Sequence, residues 1–135
     1  MNQTVGIFIL RVVLGLIFLM QGYGKVFSWG LENVYKNVFA SYESLLPKFV
    51  LNFALYYTSL TELLGGLLLV LGLFRYWAAY ALGLVLIIVS FGHGLSEPIW
   101  NLSHVFPRTV LLVAFLLLPN EWDNWSIDRL IFKTK

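Results

Sequence analysis

Long apolar stretches broken by a few polar positions dominate the chain. Residues 5–27 are nearly continuous hydrocarbon, interrupted at Arg11, Gln21 and Lys25. Residues 49–74 carry one charge, Glu62, and residues 76–92 carry none. A membrane-crossing helix needs roughly 20 mostly apolar residues, so each of these reads as a span. A fourth stretch, 105–118, is short for a crossing. Extended back to Ile99, with Ser103 as cap and Pro107 in the first turn, it gives a fourth span over 99–118.

The segment between the first two spans is too polar to cross. Its apolar positions, Leu31, Val34, Tyr35, Val38, Tyr42, Leu45 and Leu46, recur at helical spacing, with Glu32, Lys36, Asn37 and Glu43 on the other faces. This stripe predicts an amphipathic helix over 31–46, lying at the membrane interface. Pro47 then marks the turn into the second span. Beyond Pro119, Trp122 and Trp125 stand where an aromatic belt belongs, and Ser126 reads as the N-cap of a short helix over 126–132. The predicted architecture is all-α: an integral membrane four-helix bundle, one domain over residues 1–135, with an interfacial amphipathic helix between spans one and two.

Composition sharpens this picture. Of 135 residues, 59% are apolar and 12% charged, too few charges to build the surface of a soluble domain. A net charge of +2 with no basic run leaves lipid, and no nucleic acid, as the polyanionic partner. The absence of cysteine excludes disulfides, thiolate metal sites and thiol relays, so any redox chemistry must use a bound group such as a quinone. No basic region precedes the first apolar run and no small-residue cleavage site follows it, so that run is expected to be a retained helix. Lysine and arginine lie slightly in excess on the side holding the N-terminus, Arg75, Arg129, Lys133 and Lys135. That bias puts both termini in the cytoplasm.

Three stretches carry a resemblance: RVVLGLIFLMQGYGKVF at 11–27, ELLGGLLLVLGLFRYWAA at 62–79 and WSIDRLI at 125–131. In that order and spacing they resemble the DoxX family of small bacterial membrane proteins. The resemblance implies a four-helix protein of the bacterial cytoplasmic (inner) membrane. The family takes its name from a subunit associated with a terminal quinol oxidase, and related proteins belong to thiosulfate:quinone oxidoreductase. Members often carry histidine where Gln21 stands, so that residue's chemistry does not transfer.

Polar groups inside a span are expensive, which makes each a candidate for function. Arg11, Gln21 and Lys25 fall within roughly an 80° sector of the first helix and should face the bundle. Counted from the span ends, Glu62 lies near the depth of Gly15, about 6 Å from Arg11, so an intramembrane Arg11–Glu62 ion pair is expected. Gln21, Lys25, His93, His104 and Arg108 fall at one level on the opposite side from the termini. They form a candidate mouth for a quinone headgroup or similar amphiphile. No metal site is expected, because Gly94 and Pro98 interrupt the helix between His93 and Glu97.

The reading that follows is a membrane component of a redox or respiratory system that binds quinone. The alternative is a non-catalytic scaffold subunit, with membrane-complex or homo-oligomeric partners. A small-solute or lipid transporter ranks below both, since no inverted repeat is visible.

Overall fold

The structure, a computed structural model, describes residues 1–97 and 103–132. Its regular elements are all helical among those residues. Helix α1 (Asn2–Tyr23) runs on through a π-wound turn, Gly24–Trp29, which contains Lys25. After a single turn, α2 (Leu31–Val34), come α3 (Lys48–Leu71) and α4 (Arg75–Ser96). Helix α5 (Phe106–Leu117) and the short α6 (Ile127–Ile131) complete the chain. α1 with its π turn, α3 and α4 are long and apolar enough to cross a membrane.

The fourth span departs from expectation. Helix α5 has 12 residues, about 18 Å at 1.5 Å per residue, against a hydrocarbon core about 30 Å thick. It begins after Val105 with Pro107 in its first turn, so Ser103 does not cap it. Residues 99–102 of the expected span lie outside the described residues. The interfacial stretch also differs: α2 gives way to π winding at Tyr35–Phe39 and a 3₁₀ turn at Ala40–Tyr42, not one regular helix. Only Val34 of its apolar stripe is buried. Without a continuous packed face, the segment lacks the tertiary support that keeps a short helix regular.

The bundle is apolar outside and partly polar inside. Phe53, Tyr56, Leu64, Trp77, Ile87 and Val113 stand exposed, while Arg11, Thr58, Ser59, Glu62, Arg75 and Asp123 are buried. Such a distribution suits a lipid solvent, which rewards no outward charge. Consecutive long helices run antiparallel, α1 against α3 and α3 against α4, with α5 against α1 and α4. Leu14, Phe18, Leu69, Leu82, Leu112 and Phe115 form the apolar core between them.

Lipid tails reward helix association less than water does, so close contact relies on small residues. A Cβ on Gly22 would sit 2.2 Å from the Leu63 nitrogen, and one on Gly66 would sit 2.3 Å from the Leu19 nitrogen. A Cβ on Gly15 would lie 2.8 Å from the Val70 nitrogen and 2.9 Å from the Gly66 carbonyl oxygen. These glycines bring the α1 and α3 backbones together and fix their register. Pro47, extended, opens α3, and Gly72 in the left-handed region (φ 69°) closes it.

Candidate functional site

Two polar clusters lie inside the bundle, one toward each end. At the end that holds the termini, Arg11 is fully buried. Its Nη1 donates to the Leu69 and Val70 carbonyls at 2.6 and 2.8 Å, and its Nη2 donates to the Trp125 carbonyl at 2.9 Å. A cation here adds a donor to the Val70 carbonyl and a second one to the Leu69 carbonyl, which also accepts from the Gly72 amide, and it complements the negative end of the α3 dipole. The Arg11 Nε lies 3.1 Å from Asp123 Oδ2, an oxygen that also takes a hydrogen bond from Arg75 Nη1. Ser126 Oγ accepts from Arg75 and donates to the Asp123 carbonyl, so its hydroxyl serves this cluster and does not cap α6.

Asp128 completes the arrangement. Its two carboxylate oxygens accept from the Phe74 and Arg75 amides at 2.7 and 3.1 Å. A residue of α6 thereby caps α4, whose N-cap residue Phe74 sits in the left-handed region (φ 45°). Gly72 is indispensable twice. Its φ suits glycine, and a Cβ there would come within 2.7 Å of Ser126 and 2.8 Å of the Arg11 guanidinium. Two arginines and two aspartates balance in charge, and every one of them bonds to the chain itself.

The second cluster sits on the α1–α3 interface, farther from the termini. Lys25 Nζ donates to Glu62 Oε2 at 2.6 Å; Glu62 is buried, whereas the Lys25 side chain is 27% exposed. The Glu62 partner is thus Lys25 and not Arg11. Register is the reason. Gly22, not Gly15, faces Glu62, a displacement of seven residues, or about 10 Å along the helix. Counting from span ends assumed that helix centres align, whereas the glycine contacts set the alignment.

Around this pair lie polar atoms with nothing to bond. Gln21 Oε1 and Ser59 Oγ are buried without a hydrogen-bond partner, one turn from Lys25 and from Glu62 respectively. Arg108, half-buried in the first turn of α5, is near enough to Glu62 for their charges to attract. The structure therefore pairs Lys25 with a carboxylate that the expected mouth did not include. His93, near the end of α4, and His104, before α5, are exposed, and neither imidazole has a hydrogen-bond partner among the described residues. Among the described residues, no group of three or more His, Cys, Asp or Glu converges as metal ligands would.

Sequence reasoning missed Asp123, Arg75 and the partly buried Asp128 as one unit. All three flank predicted spans, where charges ordinarily face headgroups. The available signal was numerical: WSIDRLI and its approach carry two aspartates within reach of a span end already bearing Arg75.

A family model described as DoxX matches residues 6–94. The chain belongs to the DoxX family. The match takes in Arg11, Lys25, Glu62 and Arg75 of this DoxX protein, and stops short of Arg108, Asp123 and Asp128. Neither the curated proteins nor the solved structures compared include a match.

Proposed function

We propose that this DoxX protein is a component of a redox system in the bacterial cytoplasmic membrane, binding a quinone or a related amphiphile beside the Lys25–Glu62 pair. The observation that carries the reading is a buried carboxylate paired with a partly exposed ammonium, next to buried polar atoms without partners. A quinone carbonyl accepts hydrogen bonds, and the reduced hydroxyl donates them. Lys25 and Arg108 supply donors, Glu62 and Gln21 Oε1 supply acceptors, so both forms find complements among the same side chains. The apolar helix surfaces on either side suit an isoprenoid tail. Lys25 orients the headgroup, and Glu62 holds or releases the proton that accompanies reduction.

Extraction of protein purified in mild detergent tests this. The native chain should yield a quinone, and Lys25→Ala should yield several-fold less while keeping its helical circular dichroism at the temperature of extraction. Absence of quinone from the native chain, together with no uptake of added ubiquinone or menaquinone, would overturn the proposal. A copurifying protein partner in that case would favour the scaffold role. The charge bias supports cytoplasmic termini, with residues 31–46 at the opposite interface. A reporter active only in the cytoplasm should work after Lys135 and fail when inserted near Asn37.

A further inference from the structure

A groove lies at neither polar cluster's centre but on the surface at the termini end. It has a volume of about 1060 Å³ and runs between the start of α4 and the segment 120–132. Its walls are aromatic: Phe74, Trp77 and Phe132, of which Trp77 is 74% exposed and Phe74 packs on Phe132 with ring centroids 5.9 Å apart. Polar groups, Glu121 and Arg129, line the same groove. Two long helices and the shorter α5 have ends near this level, since α3 ends at Leu71, α4 begins at Arg75 and α5 ends at Leu117. An aromatic-walled groove at that depth faces headgroups and the first methylenes of lipid chains.

Charge decides what the groove can hold. Asp128 and Arg75 border it, but both are already committed: Asp128 to two backbone amides, Arg75 to Asp123 and Ser126. Arg129 is different. Its guanidinium donates through Nη1 to the Glu121 carbonyl at 2.9 Å and pairs with no carboxylate among the described residues. The Glu121 side chain is exposed and likewise has no partner among them. The groove thus offers one cation and one anion side by side, held together through backbone but not spent on each other.

We infer that this groove binds a phospholipid whose headgroup carries both a phosphodiester and a primary amine, with Arg129 on the phosphate, Glu121 on the ammonium and the aromatic walls on the chains. A guanidinium fork suits phosphate oxygens, and a carboxylate prefers an ammonium with hydrogens to donate over a trimethylated one. The site is independent of the quinone proposal, sharing no residue with it.

The test is native mass spectrometry of the full chain, exchanged into an equimolar mixture of phosphatidylethanolamine, phosphatidylglycerol and phosphatidylcholine. The native protein should retain phosphatidylethanolamine above the other two. Arg129→Gln should lower that retention about tenfold, the size of one charge-assisted contact. Glu121→Gln should bring phosphatidylethanolamine down to the level of phosphatidylcholine. Both side chains are exposed, so the variants should melt as the native chain does. Glycerophosphoethanolamine, the headgroup without chains, should fail to displace the lipid. Equal retention of all three lipids by the native protein overturns the inference without recourse to any variant, as does full displacement by the chain-free headgroup.

Discussion

The two buried polar clusters of this DoxX protein contain similar residues and behave as different kinds of object. Around Asp123, two arginines, a serine and several backbone carbonyls close on one another, and each charge is fully withdrawn from lipid. Around Glu62, one lysine answers the carboxylate, that lysine is partly exposed, and nearby Gln21 and Ser59 atoms go unbonded. The Asp123 network also leaves buried atoms unbonded, Arg11 Nε, Arg75 Nε and Asp123 Oδ1, but its charged side chains are sealed in the core, where a ligand does not reach them. The Lys25–Glu62 pair opens to the surface through Lys25. Residue type does not distinguish structural from functional charge here; access does, since the Arg11–Asp123–Arg75 cluster is sealed and the Lys25 ammonium is partly exposed.

The strongest way to break this comparison is at Asp123. Asp123→Asn removes the anion between two buried arginines, leaving only Asp128, 3.8 Å from Arg75 Nε, and should destabilise the detergent-solubilised protein by about 3–5 kcal/mol. Thermal unfolding measures it, and a loss no greater than that of Glu62→Gln would remove the distinction. Gly66→Ala comes next. Its Cβ would meet the α1 backbone, so the helices must separate or slide, at a cost of about 1–3 kcal/mol. Gly92→Ala is the matched control, having nothing within 4 Å of the added carbon.

Coupling sharpens the second cluster. A double-mutant cycle on Lys25→Ala and Glu62→Gln should show an interaction of roughly 0.5–3 kcal/mol, whereas Arg11→Gln and Glu62→Gln should add to within about 0.5 kcal/mol. Additivity of the first pair would dissolve the Lys25–Glu62 unit. At the bottom of the scale is Glu32, whose carboxyl is held below its usual range by the hydrogen bond and charge of Lys36 at 2.6 Å. That pair is exposed to water, so Glu32→Gln should leave the unfolding temperature and any bound quinone unchanged.

Hydrophobic patterning by itself determined that this protein is helical and belongs in a bilayer. Uninterrupted apolar length is a local property, and a bilayer's thickness turns it directly into spans. Arg11, Gln21, Lys25 and Glu62 were legible as inward-facing for the same reason, since lipid tolerates them nowhere else. Their pairing was not legible. It depends on the sliding register of α1 against α3, and composition leaves that register free until Gly15, Gly22 and Gly66 interlock with specific turns of the partner helix. Nor could the sequence show that α6 folds back to cap α4 through Asp128, or that Asp123 would reach between Arg11 and Arg75 from more than a hundred residues and from 48 residues away along the chain. The sequence sets which groups must leave the lipid; only the tertiary structure decides which of them find each other, because each carboxylate's best cation is the one that backbone packing brings within hydrogen-bond reach.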